Sequence, residues 1–247
     1  MFQFNRDQYD FFDGIIAGDG CISKTKRLKN YKISTNFRYK EFAQYIVDEL
    51  KLNVKVYKVI KPDIRTKKGY TIAYTFSSRH NILYTKERHR WYPNGIKIIP
   101  EDFRFSPVSM NILYLCDGTR ASYGSCRKAI ELCTQSFKKE NLENTIVKYL
   151  NEINIECWVN NAGKVYVPAR NVKLFLDYIG NCPVKCYKHK WDVGRLSEKY
   201  RQLNYDQLYE LYVLKNLSSR KVGKILGCSK RKVLKYLKIY NIETKSR

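Results

Sequence analysis

Phe11-Phe12-Asp13-Gly14-Ile15-Ile16-Ala17-Gly18-Asp19-Gly20 is an apolar run that closes on Asp-Gly, and Met110-Asn111-Ile112-Leu113-Tyr114-Leu115-Cys116-Asp117-Gly118 is a second. Two similar helices that each deliver an acid to the same end can build one shared metal site. In the first run Phe11, Phe12, Ile15 and Ile16 recur at helical spacing, which predicts a helix over 9–18. Gly14 and Gly18 lie four residues apart and so share one face of it. Each glycine costs roughly 1 kcal/mol against alanine inside a helix, so the pair predicts that another helix approaches there closely.

Working outward, the chain repeats itself. After the first run, 32–36 reads as a strand, 41–50 as an amphipathic helix carrying Phe42, Tyr45, Ile46 and Leu50, and 54–60 and 70–76 as strands about a basic turn. A further helix is expected near 80–86, and 91–100 reads as a turn and a short extended segment. Pro107 then opens the second run. A strand at 130–135, a helix at 142–150, strands at 155–159 and 164–167 and a closing helix at 172–179 follow in the same order. Asp117 lies 98 residues beyond Asp19, and Thr134 lies 99 beyond Thr35. A near-constant register points to duplication with two-fold pseudo-symmetry. The expected fold class is α+β: two pseudo-symmetric αββαββα halves, spanning 1–104 and 105–191.

The rest of the chain differs in character. A polar linker is expected over 192–204, and 205–247 reads as a small all-α domain. There Ser218 and Ser229 stand where helix N-caps belong and Gly227 at the turn between the helices. Val222, Ile225 and Leu226, with Val233, Leu234 and Leu237, supply a shared apolar seam. This is a helix-turn-helix pattern with 229–238 as the recognition helix. Ser229, Lys230, Arg231, Lys232 and Lys235 are its candidate DNA contacts. From residue 192 onward, 14 Lys and Arg face 5 Asp and Glu.

Over the whole chain 47 Lys and Arg face 23 Asp and Glu, a formal charge of +24, interleaved with 21 Tyr. Such an excess favours capture of polyanions. The 44% of hydrophobic residues sets the chain apart from a disordered basic tail. No run approaches the roughly 18 apolar residues that a membrane helix needs. Residues 1–10 have no apolar core, so a secretory signal is not expected, and the eight Cys read as reduced thiols of an intracellular protein. Richness in Lys, Asn, Ile and Tyr suits an AT-rich genome such as that of a phage or an organelle. The expected locations are therefore a mitochondrion or chloroplast, or a phage or bacterial cytoplasm. Cys182, Cys186 and His189 lack a fourth ligand for zinc. Three His offer no Ser/His/Asp or Cys/His set, and no phosphate-binding glycine loop is present.

The chemistry that fits is phosphodiester hydrolysis. Mg²⁺ held by one or two carboxylates, with water and phosphate completing its shell, neutralises charge and activates water. Asp19 and Asp117 fit that role. Lys97 and Lys188 close the two halves and are candidates for stabilising the developing charge. Asn36 and Gln135 hold matched positions at the ends of the first strands, where each could orient a water or contact a base.

At these residues the chain resembles the LAGLIDADG homing endonucleases in their single-chain, two-motif form. The first run, residues 92–100 followed by Ser106-Pro107, Thr134-Gln135-Ser136-Phe137 and Cys186-Tyr187-Lys188 carry the resemblance, which covers roughly 8–191. It implies saddle-shaped antiparallel sheets on the major groove of double-stranded DNA. It also implies Mg²⁺-dependent (or Mn²⁺-dependent) cutting of both strands at a long asymmetric site, with short 3′ overhangs, by a monomer. Asp19 and Asp117 would be the metal ligands, with the carbonyls of Gly18 and Cys116 in the same shell, and Lys97 and Lys188 the basic pair. Saddle residues such as Lys24, Lys26, Arg38, Lys58, Arg65 and Tyr74 would read the target. The second motif departs from the pattern: Ile112 stands where the first has Gly14, and Cys116 directly precedes the acid. The competing reading is a non-cleaving binder on the same fold, either a maturase acting on intron RNA or a transcription regulator.

Overall fold

The first run begins with a reciprocal cap. Asn5 Oδ1 accepts from the Gln8 amide at 2.8 Å while Gln8 Oε1 accepts from the Asn5 amide at 3.1 Å, and helix α1 (Arg6–Ala17) follows. The second run starts in the same way. Ser106 and Ser109 exchange bonds of 3.0 and 3.2 Å, and Pro107 takes the first position of α4 (Pro107–Asp117). The computed structural model describes residues 4–123, 126–192 and 203–244. The chain divides into one unit of 1–192 and a second of 193–247.

In the first unit α1 leads to β1 (Cys21–Ser23), β2 (Lys32–Phe37), α2 (Lys40–Glu49), β3 (Tyr57–Pro62), β4 (Tyr70–Ser77) and α3 (Ile82–Trp91). The second half repeats the order. After α4 come β5 (Gly118–Tyr123), β6 (Cys126–Leu132), α5 (Lys139–Leu142), α6 (Lys148–Glu152), β7 (Trp158–Val159), β8 (Val165–Val167), α7 (Val172–Ile179) and the short α8 (Lys188–Trp191). A π-helical turn, Glu143–Val147, joins α5 to α6 as one continuous helix. Each half carries a four-stranded antiparallel sheet, β1-β2-β4-β3 and β5-β6-β8-β7. The class is α+β, two αββαββα halves.

Sheet faces follow from register, since residues directly opposite in an antiparallel pair share a face. Ile22 pairs with Ile33, Thr35 with Phe76 and Phe37 with Tyr74. That face is covered by helix: Ile33, Phe37 and Phe76 are buried, and the Phe37 ring lies 4.7 Å from that of Phe42 on α2. Ser34, Asn36, Thr75, Ser77, Tyr57 and Lys32 lie on the other, uncovered face.

The two motif helices meet through glycine. A Cβ on Gly14 would stand 2.5 Å from the Ser109 carbonyl oxygen and 2.8 Å from Ile112 Cβ, and one on Gly18 would stand 2.4 Å from Cys116 Cβ. Only α1 needs the missing side chains; α4 supplies the atoms that fill the space, so Ile112 and Cys116 do not hold the helices apart. Behind the crossing, Arg90 on α3 donates to both carboxylate oxygens of Asp13, at 2.7 and 2.8 Å, and Trp91 Nε1 donates to Asp13 at 3.2 Å. Asn111 Nδ2 donates to the carbonyls of Ile179 and Asn181. The first motif helix is thus tied to α3 and the second to the end of α7.

Three expectations shift. The helix looked for near 80–86 starts at Ile82, because Asn81 caps it by accepting from the Leu83 amide at 2.9 Å. The strand looked for at 130–135 ends at Leu132, since past it the Thr134 hydroxyl, not a main-chain carbonyl, accepts from the Val165 amide at 3.2 Å. The repeat register also differs. Cys21 pairs with Ser34, whereas Thr119, 98 residues on, pairs with Glu131, 97 beyond Ser34. The ladder counterpart of Thr35 is therefore Leu132 rather than Thr134. A slip of two keeps every side chain on its face, so the burial pattern could not reveal it.

The second unit is described from Leu203; of the expected linker 192–204, residues 193–202 lie outside the described residues. Helix α9 (Tyr205–Tyr209), capped by Asn204, runs on through a π-helical turn, Glu210–Leu214. Helix α10 (Ser219–Ile225) is capped by Ser218, and α11 (Lys230–Ile239) by Ser229. Leu203, Leu208, Tyr212, Val222, Val233 and Leu237 form its core. Ile225, expected in the seam, is 59% exposed, while Val222 is buried and Leu226 packs against the core. No helix among the described residues is long and apolar enough to cross a membrane.

The crossing makes a stability prediction. Gly18→Ala drives a methyl into Cys116 Cβ and should cost about 1–3 kcal/mol, read by urea unfolding. Adding Cys116→Gly should return part of that loss, because the two positions are in direct contact.

Candidate metal centre and nucleic-acid interface

Asp19 and Asp117 stand at matching ends of α1 and α4, and the glycine crossing brings those ends together. Asp117 Oδ2 lies 3.6 Å from where a Cβ on Gly18 would be, so the acid of the second half reaches over the first motif helix. Asp19 keeps an exposed edge and Asp117 is half-buried. Surrounding protein nonetheless raises both above the ordinary 3.8. Burial carries Asp19 to about 6 against the pull of Lys190 and Lys97. Burial and then the negative charge of Asp19 carry Asp117 to about 7. Beside them the Cys116 thiol is pushed well up by burial and by Asp19.

Two lysines flank the acids, and neither forms a direct ion pair with them among the described residues. Lys97 Nζ donates to the carbonyls of Gly18, at 3.0 Å, and Gly20, at 3.4 Å. Lys190 Nζ donates to those of Tyr114, at 3.1 Å, and Leu115, at 2.6 Å. Each ammonium thus satisfies carbonyls left over at the end of its own half's motif helix, where a cation also suits the helix dipole. Burial lowers the pKa of both. The negative charges of Asp117 and Asp19 oppose that fall.

The second lysine is not the one singled out from sequence. Lys188 is exposed at the start of α8, while Lys190, two residues on, is 8% exposed and turned inward. The short helix decides this. Tyr187 is buried, and the residue three beyond it falls on the same helical face. That spacing was the available signal.

Asn36 is exposed on the uncovered face of β2, two residues past the Ser34–Cys21 pair and so toward the Asp19 end. In the second half the place beside the acid belongs to Cys133, whose amide donates to the Asp117 carbonyl at 2.8 Å. Burial raises its thiol, and Asp117 and Lys190 act on it. Gln135 lies two residues further and is exposed.

Two carboxylates and nearby main-chain carbonyls form a hard-oxygen donor set. Among the described residues no group of three or more His, Cys, Asp and Glu gathers. A cation held by Asp19, Asp117 and the carbonyls of Gly18 and Cys116 would take its remaining ligands from water and phosphate, which is the usual coordination of Mg²⁺.

The expected base-reading residues separate by position. Lys24 and Lys26 are exposed between β1 and β2, with Lys24 Nζ 5.4 Å from the Tyr31 ring centre. Arg38 follows β2, its guanidinium 5.5 Å from the Tyr39 ring centre. Arg65, between β3 and β4, is 87% exposed at its side chain and bonds Asp63 at 2.9 Å. Lys58 and Tyr74 are cross-strand partners on the face shared with Phe37 and Phe76, the helix-covered side. Lys58 is nonetheless exposed and Tyr74 half-buried, and the opposite face there carries Tyr57, Thr71, Thr75 and Lys61. In the second unit Lys230, Arg231 and Lys235 are exposed and Lys232 half-buried. The Ser229 hydroxyl is engaged as a cap, accepting from the Lys232 amide at 3.2 Å.

The raised acids set a pH dependence. Both carboxyls keep their protons to higher pH folded than unfolded, so the stability they contribute is full below about pH 4 and lost as pH rises through 6 and 7. In metal-free buffer Asp117→Asn should flatten the fall in unfolding free energy between pH 5 and 8 by about 1–2 kcal/mol, measured by urea titration at each pH.

Known proteins resemble this chain in sequence and in fold. Residues 10–175 match the LAGLIDADG DNA endonuclease family. An uncharacterized protein of Methanocaldococcus jannaschii is 32% identical over 135 residues, 54% of this chain; the match spans about half of that relative's length, 51%. A probable intron-encoded endonuclease of Wickerhamomyces canadensis is 24% identical over 192 residues, 72% of this chain and 80% of that protein. The solved homing endonuclease I-WcaI, bound to its DNA recognition sequence, shares the fold. Its TM-score is 0.68 at 23% identity, over 77% of this chain and 88% of that one. With a family match covering well over half of its length, the chain belongs to the LAGLIDADG DNA endonuclease family.

Proposed function

We propose that this chain is a site-specific homing endonuclease that hydrolyses one phosphodiester in each strand of a long, asymmetric duplex target, leaving short 3′ overhangs. The observation that carries the reading is the pair Asp19 and Asp117, brought together at the helix crossing between the half-buried Lys97 and the buried Lys190 in a chain of charge +24. In this reading Asp19 and Asp117, with the Gly18 and Cys116 carbonyls, hold Mg²⁺ or Mn²⁺. Such an ion, when bound, neutralises the scissile phosphate and lowers the pKa of the attacking water. Lys97 and Lys190 keep positive charge where negative charge develops on the phosphorane, and they are pre-positioned by the carbonyls they bond. Asn36 orients a water on the Asp19 side; Cys133, with Gln135 beyond it, occupies the corresponding region of the second half.

Residues 1–104 and 105–191 each lay the uncovered face of a sheet along the major groove, with Lys24, Lys26, Arg38 and Arg65 reaching from the strand ends. Residues 205–247 act as a helix-turn-helix that adds contacts through Lys230, Arg231, Lys232 and Lys235. Phosphate neutralisation by so basic a surface should make affinity fall steeply with salt.

The test is a cleavage selection with full-length protein on a randomised duplex library, in Mg²⁺ and in EDTA, with sequenced ends. Metal-dependent breaks at one long motif are expected. Asp19→Asn, Asp117→Asn and Lys190→Met should each slow cutting by roughly a hundredfold or more while duplex binding survives. Lys188→Met should cut normally. Full cutting by both acid variants would overturn the assignment, and enrichment without breaks would move it to a non-cleaving nucleic-acid binder. At the motif so found, Arg231→Ala and Lys235→Ala should weaken binding, each lowering the salt slope by about 1 if its contact is to phosphate.

A further inference from the structure

Lys97 sits on an irregular segment and Lys190 on the short helix α8, and the backbone beside each is fastened by a side chain from the opposite half. Asn141, on α5 of the second half, grips Ile99, two residues beyond Lys97. Its Oδ1 accepts from the Ile99 amide at 2.9 Å and its Nδ2 donates to the Ile99 carbonyl at 3.0 Å. Glu41, on α2 of the first half, grips the turn that leads into Lys190. One carboxylate oxygen accepts from the Lys185 amide at 2.7 Å and the other from the Cys186 amide at 3.1 Å.

The rings beneath the two ammonium groups also connect to the opposite half, one directly and one through its neighbours. Lys97 Nζ lies 5.4 Å from the centre of Phe137, which belongs to the second half. Lys190 Nζ lies 4.4 Å from the centre of Tyr187. Tyr187 in turn packs on Tyr39 and Phe42 of the first half, at 5.2 and 5.1 Å.

We infer that Glu41 and Asn141 are reciprocal positioning residues: each half of the protein sets the place of the other half's lysine. The inference rests on the reading that Lys97 and Lys190 act at the scissile phosphates. Its physical content is in the geometry of the bonds. Each clamp is two-pronged and ends on main chain, so it fixes a backbone segment in place and orientation rather than joining two mobile side chains. α2 and α5 occupy equivalent places in the two halves, although one clamp is an amide that holds the residue two beyond its lysine and the other a carboxylate that holds the turn four and five residues before its lysine. An exposed Glu gains little from a surface contact unless the geometry is two-pronged, as it is here. The arrangement also makes the site sensitive to the fit between halves. A lysine displaced by a fraction of its reach would lose its place at the phosphate while the acids stayed where they are.

The experiment uses full-length protein carrying Glu41→Ala, Glu41→Gln or Asn141→Ala on the target found by selection. Readouts are single-turnover cleavage at saturating protein, duplex affinity in EDTA, the thermal midpoint, and amide exchange of peptides covering 96–100 and 182–191. Glu41→Ala should speed exchange only in 182–191 and Asn141→Ala only in 96–100. Each should slow cleavage roughly tenfold to a hundredfold with affinity held within about threefold. Glu41→Gln, which keeps one good acceptor, should recover part of the rate. Cleavage unchanged by both alanine variants would overturn the inference. So would rate and affinity falling together with exchange rising throughout, since that marks a purely structural staple. Lys97→Met and Lys190→Met are run beside them. If those two cut normally, the reading of the lysines fails by itself, while the local exchange still reports whether the clamps hold their segments.

Discussion

Everything at the centre of this molecule depends on how closely two helices cross. Gly14 and Gly18 remove the side chains of α1 on one face, and Ile112 and Cys116 of α4 occupy the space. A helix pair can reach such a separation with small residues on one partner alone, provided that the other partner's atoms fill the gap. The consequence is electrostatic as well as steric. Helices that close bring their terminal acids into the same small volume. Protein replaces much of the water around both carboxyls, and Asp117 also meets the charge of Asp19, so both retain their protons to unusually high pH. The crossing therefore creates a local demand for positive charge that the surface alone would not.

The two lysines answer only part of that demand. Each ammonium is held by main-chain carbonyls at a helix end, not by the carboxylates. A direct ion pair would neutralise the acids and leave little for a cation to do. Bonding to carbonyls keeps the positive charge fixed and near while the carboxylate oxygens stay available. The cost of burying an ammonium is met by good hydrogen bonds and by the ring faces beneath it.

The parts of the site that were legible in the sequence are those fixed by residue type at helix spacing. The acids, the glycine face and the duplication all come from short-range pattern, and Lys97 follows from its place in the closing segment of the first half. What escaped depended on the phase of a short element. Lys188 and Lys190 are chemically the same, and only the buried Tyr187 tells which side of a four-residue helix faces the acids. Gln135 was matched to Asn36 because a slip of two residues leaves inward and outward positions unchanged; the β5–β6 pairing, which places Cys133 beside Asp117, settles it. Lys58 and Tyr74 fell on the helix-covered face for a related reason. The β3–β4 hairpin is exposed on both faces toward its far end, where Ile60 is 59% and Ile72 38% exposed. Its sequence therefore lacks the alternation that would have declared its faces.

Duplication explains the shared geometry, and the departures from it are concentrated around the acids rather than in them. Gly18 faces Cys116, Asn36 has Cys133 as its ladder counterpart, and one clamp is a carboxylate where the other is an amide. A homodimer cannot build such differences, because any substitution appears on both sides of its dyad. A single chain can keep the two acids matched while their surroundings diverge. On this view the asymmetry around Cys116 and Cys133 reflects a duplicated site that has been adapted one half at a time, with the helix crossing as the part that neither half could change alone.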